Sequence, residues 1–162
     1  MCRVSCLDLL NRTLAGTRSD LATASSADRA ALAKHLTEAI KELHWKDFET
    51  IVDLVFRHTG WVRASVLGQH AKAYDLELQE PITGGRYFVQ VKSKAGLADL
   101  NATVANFPAD RFRRFFFVVH SPEKDLAHAT DFPEHVQIVP PEFLAQQAID
   151  AGLVEWLEDK VS

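Results

Sequence analysis

The run from Arg114 to His120, Arg-Phe-Phe-Phe-Val-Val-His, leaves the chain few architectures. Five consecutive aromatic and β-branched residues, with no polar alternation, read as a strand that must be covered on both faces. A strand of that kind sits inside a sheet with other layers packed above and below it. The rest of the chain has to supply those layers.

Two helical patterns precede this strand. Leu32, Leu36, Ile40 and Leu43 recur at helical spacing, with Ser26 or Asp28 as N-cap. Phe48, Ile51, Val52, Val55 and Phe56 form one stripe of a second helix that should end near Gly60. The small polar stretch at 17–28 reads as a loop or linker, and Leu7, Leu9, Leu10 and Leu14 before it suggest a short helix. The period then changes. Trp61–Leu67, Tyr74–Glu80 and Arg86–Ser93 read as strands, the last two joined by the turn signal Ile82-Thr83-Gly84-Gly85. Leu97, Leu100, Val104 and Phe107 mark a helix, Val136–Val139 a short strand, and Pro140-Pro141-Glu142 the start of another helix. Gly152 interrupts it, and Leu153–Lys160 carries a last apolar stripe. This order predicts an α/β fold: one mixed central sheet flanked by helices, with extra N-terminal helices. The expected division is a helical extension at 1–43 and a second unit at 44–162.

At 162 residues, with 47% hydrophobic and 25% charged residues, the chain can bury a core without disulfides or metal staples. Its two cysteines, Cys2 and Cys6, form a single C-x3-C, which lacks the ligands of a structural zinc site and suits ordinary reduced thiols. No apolar run spans a bilayer, and Asp8 interrupts what a signal peptide would keep apolar, so the expectation is a cytoplasmic protein with no membrane partner. The net charge is −4, but it is unevenly spread. Between Arg57 and Arg114 there are nine basic and five acidic residues, and the ends of the chain are acidic. The middle therefore permits a phosphate-binding face.

Chemistry concentrates in that middle. In the Tyr74–Glu80 strand, alternation puts Asp75, Glu77 and Gln79 on the face opposite Leu76 and Leu78. On the next strand Gln90 and Lys92 are two residues apart and share a face, among the apolar Phe88, Val89 and Val91. A lysine in such a strand needs a partner, and Asp75 across the hairpin is the candidate. The plain alternative is an exposed sheet face with ordinary charges, for which an Asp and a Gln-x-Lys need no explanation.

Residues 44–94 supply more than that pair. His-Trp-Lys-Asp-Phe-Glu at 44–49, Gly-Trp-Val at 60–62, Tyr-Asp-Leu-Glu-Leu at 74–78 and Tyr-Phe-Val-Gln-Val-Lys-Ser-Lys at 87–94 resemble the core of the PD-(D/E)xK nuclease superfamily, in its Mrr-like restriction-endonuclease branch. The resemblance continues through the 97–107 helix and the Arg114–His120 strand to Ile-Val-Pro-Pro-Glu-Phe-Leu at 138–144, and leaves the segment up to Leu43 outside it. It implies a restriction-endonuclease-like fold and a Mg²⁺- or Mn²⁺-dependent endonuclease acting on DNA in bacterial defence. Asp75 would be the principal metal ligand, joined by the Val91 carbonyl, the Gln90 side chain and Glu49. Lys92 would position or deprotonate the attacking water. The catalytic set is thus Glu49, Asp75, Gln90 and Lys92, with His70, Lys72 and Lys94 as nucleic-acid contacts.

Several residues depart from that pattern or compete with it. Gln90 stands where the acidic version of the motif has a carboxylate, which weakens metal binding. Glu77 either compensates or is solvated, and Asp53 is an alternative helix acid one turn after Glu49. Arg111, Arg113 and Arg114 read as a solvated strand entrance rather than a docking patch. The sequence does not separate DNA from RNA, and a homodimer is compatible with it. Two other functions stay open: a nuclease fold without catalysis that binds nucleic acid or protein, and a partner surface made by the N-terminal helices.

Overall fold

The computed structural model of the protein describes residues 6–64 and 75–162. Its order is α1 (Cys6–Ala15), α2 (Asp20–Glu42), α3 (Trp45–His58), β1 (Val62–Arg63), β2 (Leu76–Gln79), β3 (Arg86–Ala95), α4 (Leu97–Ala105), β4 (Arg114–Pro122), α5 (Lys124–Ala127), β5 (Val136–Val139), α6 (Pro141–Asp150) and α7 (Val154–Lys160). The strands form one sheet in the order β1-β2-β3-β4-β5. β1, β2 and β3 make an antiparallel meander, whereas β3–β4 and β4–β5 are parallel. The predicted mixed sheet between helical layers is what the chain forms.

The phenylalanine run divides its side chains between two cores. Phe115, Phe117 and Val119 join Phe88, Leu100, Phe112 and Leu126 on the face that carries α4 and α5. Val118 joins Leu76, Leu78 and Val89 beneath α2, α3, α6 and α7, and Phe116 packs against the same side. Strand alternation produces this split, and it is why a strand without polar residues is stable there. The hairpin turns at Glu80–Gly85, where Glu80 N–H donates to the Gly85 carbonyl at 2.9 Å. Gly84 adopts φ +70°, a conformation open to glycine at little cost.

Of the stretch at 17–28, only 17–19 is a loop; the rest is helix. α2 starts at Asp20, capped by Ser19, whose Oγ accepts from the Ala22 N–H at 3.1 Å. Its first turns are alanine-rich and exposed, so helix propensity rather than an apolar stripe forms them, and their small polar composition resembles a linker. Further on, Leu36, Ile40 and Leu43 lie in the same core as Phe48 and Leu157. The core is therefore continuous across residues 43 and 44. Leu7, Leu10, Leu14 and Leu21 are exposed. No helix among the described residues is long and apolar enough to cross a membrane.

One half-buried histidine should make the stability of the fold depend on pH. His120, near the end of β4, meets the ring of Phe48 edge-on at 4.9 Å. Burial lowers its pKa below the ordinary value, only partly opposed by the carbonyls of Ile40 and Leu43. Below about pH 6.5 the unfolded chain therefore binds more protons at this position than the folded one. The contribution is present above that pH and is lost as pH falls. The drop in the urea midpoint between about pH 7.5 and about pH 5.5 should be smaller in His120→Gln than in the parent. An equal drop in both proteins would remove His120 from the account.

Candidate active site

Asp75 enters β2 from the side of the hairpin that faces β3. The pairing of Leu76 with Val89 places it opposite Gln90, and its N–H donates to the Val89 carbonyl at 3.0 Å. Its carboxylate is held by β3. Oδ2 accepts from the Val91 N–H at 2.6 Å and from the Gln90 Nε2 at 2.9 Å. Within a strand the N–H and C=O of one residue point to the same edge, so the Val91 carbonyl also faces the Asp75 side.

The expected Asp75–Lys92 pair does not form. Lys92 is two residues beyond Gln90, roughly 7 Å along the strand, and Gln90 reaches the carboxylate first. Lys92 is half-buried on the same face of β3 and makes no hydrogen bond or ion pair with the described residues. Gln90 and Lys92 open into a groove of about 320 Å³ between β3 and α4, further lined by Phe88, Asp99, Thr103 and Asn106.

Glu49 comes from α3, whose apolar stripe anchors the helix against the sheet. Burial raises the pKa of its carboxyl above the ordinary value, the negative charge of Asp75 raises it further, and Lys46 offsets this only in part. Asp53, the alternative helix acid, is committed elsewhere, pairing with Arg57 at 2.5 Å and Arg63 at 3.6 Å. Because the folded state holds the Glu49 proton more tightly than the unfolded chain does, stability is lost as pH rises through the raised pKa. Glu49→Gln should therefore melt above the parent at neutral pH in EDTA. A lower melting temperature would show that Glu49 is stabilised as an anion.

Glu77 is not part of this set. It is buried at 4% exposure and holds two guanidiniums, those of Arg86 and Arg111, the latter at 2.9 Å. Alternation alone placed it on a polar face; the loop before β4 closes over it. The arginines at the β4 entrance are thus partly structural, a role their clustering did not signal. Lys94 is exposed and pairs with Glu123 at 3.2 Å. His70 and Lys72 lie outside the described residues, as does Tyr74.

The donor set suits a hard divalent cation with few protein ligands. Among the described residues no three His, Cys, Asp or Glu side chains gather around one point. Two carboxylates and two neutral oxygens are nevertheless a reasonable share for Mg²⁺, which keeps waters and takes further oxygens from a phosphate.

A meander leading into a parallel crossover, with an Asp entering its second strand and Gln-x-Lys on its third, defines a restriction-endonuclease-like fold. Residues 40–131, more than half of the chain, match the restriction endonuclease family Mrr_cat, and the chain belongs to that family. The matched segment includes Glu49, Asp75, Gln90 and Lys92, and its membership supports a nuclease-type function. No curated protein and no solved structure matches the chain.

Proposed function

We propose that this protein is a Mg²⁺-dependent endonuclease that hydrolyses DNA phosphodiester bonds, in the cytoplasm and in defence against foreign DNA. The observation that carries the reading is the Asp75 carboxylate held by the Val91 N–H and the Gln90 amide, on the strand whose Gln90 and Lys92 line an open groove. Phosphodiester hydrolysis needs a hydroxide nucleophile and relief of the charge that builds on the phosphate. A bound divalent ion supplies both, by acidifying water and by acting as a Lewis acid.

The chain's own residues do the rest. Val91 N–H and the Gln90 amide hold Asp75 Oδ2, which leaves Oδ1 for a cation. Glu49 and the Val91 carbonyl complete the protein's share, with the Gln90 oxygen as a neutral fourth donor. Lys92, a cation on the groove face, orients the attacking water and offsets charge on the phosphate oxygens. Rigid strand placement of Asp75, Gln90 and Lys92 keeps the reorganisation required during reaction small.

Supercoiled plasmid incubated with Mg²⁺ or Mn²⁺ should be nicked or linearised, and EDTA should stop it. Mg²⁺ should also raise the melting temperature of the parent, and less so that of Glu49→Gln. A folded protein that leaves duplex DNA, single strands and RNA intact would defeat the reading. A second reading has one observation in its favour: Gln90 acts as a hydrogen-bond donor to Asp75 where the acidic motif would bring a carboxylate. That reading is a nuclease fold that binds nucleic acid without cutting it, and retention of DNA without cleavage or Mg²⁺ response would select it.

A further inference from the structure

We propose that Arg86, Arg111 and Arg113 form a phosphate fork that grips the DNA backbone beside the site of hydrolysis. The proposal rests on the nuclease reading for its substrate, but its own evidence is a separate cluster. Glu77, buried on β2, receives both Arg86 and Arg111. One guanidinium would neutralise one carboxylate; the second adds net positive charge. Both also stack on one ring, with the Arg86 and Arg111 guanidinium carbons 5.7 and 5.1 Å from the centre of Phe112. The two side chains are still 44% and 46% exposed. They are held from below and open above. A guanidinium fixed this way has already given up its rotamer freedom, which lowers the cost of gripping a phosphate.

Arg113 completes the fork. Its N–H donates to the Arg86 carbonyl at 2.9 Å, tying the loop before β4 to β3. Its aliphatic stem lies against Gly85, where a Cβ would come within 3.1 Å of the arginine Cδ. It is exposed and forms no ion pair with the described residues. Asp110, exposed on the same loop, reduces the charge of the group but leaves it positive.

Position links this cluster to the reaction. Arg86, Gln90 and Lys92 all project from one face of β3, and Glu77 shares the face of Asp75. Four residues of strand separate Arg86 from Gln90, about 13 Å. At ~3.4 Å of duplex axis per phosphate on each strand, that is about four phosphates from the reactive set. Contacts at this distance fix register and carry no base information.

The test is the salt dependence of binding to a fluorescein-labelled DNA duplex in EDTA, where nothing is cut. Removing one arginine–phosphate interaction should reduce the slope of log K against log salt by about 0.9. Arg113→Gln and Arg111→Gln should each show that reduction, and Arg113→Lys should keep the parent slope. Arg113→Gln removes no buried partner, so it remains informative if Arg111→Gln fails to fold. Unchanged slopes in folded Gln variants would overturn the fork and leave the nuclease reading intact. Absence of duplex binding by the parent at low salt would overturn it as well. Fork-dependent binding by a parent that never cuts would support the fork and reject the nuclease instead.

Discussion

Replacing Asp75 with Asn should lower metal-dependent DNA cleavage by at least ~10³-fold while leaving the protein folded, a loss in the range seen when a preorganised charge-stabilising group is removed. The substitution is informative because it is nearly isosteric. An amide oxygen can still accept from the Val91 N–H, so the hydrogen bond that seats the side chain survives and only the charge disappears. Lys92→Met, which keeps the stem and removes the ammonium, should cost a comparable factor, again on the order of 10³. The measurement is the initial rate of plasmid nicking at saturating Mg²⁺, with thermal melting as the folding control. If both folded variants cut at the parent rate, the reactive site lies elsewhere in the chain. If only Asp75→Asn is inactive, the cation site stands and Lys92 loses its role. Because Asp75 and Lys92 would act on one reacting phosphate, the double variant should be little worse than either single one.

The largest expected effect on stability lies far from that chemistry. Phe117 is fully buried in the middle of β4, flanked by Gln90 on β3 and Ile138 on β5. Phe117→Ala should destabilise the fold by about 3–5 kcal/mol, the sum of forfeited transfer energy and a cavity that the sheet cannot close. For a domain of this size that corresponds to a fall of roughly 10 °C in melting temperature. Urea unfolding should show a lower midpoint at an unchanged slope. A change below about 1 kcal/mol would mean that α4 relaxes into the space, and that the two cores are less tightly coupled than their packing indicates.

Those two effects mark different levels of the same chain. The phenylalanine run makes a covered central strand unavoidable, because no placement on a half-solvated sheet could hide both faces of five apolar residues. Periodicity likewise specified α3, the hairpin, α4 and the C-terminal helices. It failed at the first turns of α2, where alanine and serine form an exposed helix ahead of the Leu32–Leu36–Ile40 stripe. The four-residue α5 is too short to leave a period.

For the candidate site, sequence alone put Gln90 and Lys92 on one face of a strand and Asp75 on the polar face of the strand before it, since side chains alternate with a period of two. Spacing could not decide which of them touch. Only the tertiary structure gave Asp75 to Gln90 and the Val91 N–H rather than to Lys92, because strand register fixes cross-strand partners to within one residue. It also committed Asp53 to ion pairs with Arg57 and Arg63. Glu77 likewise became the buried anchor of Arg86 on the next strand and of Arg111 on a loop more than thirty residues away. Local pattern sets which way a side chain faces; long-range packing sets what it meets there.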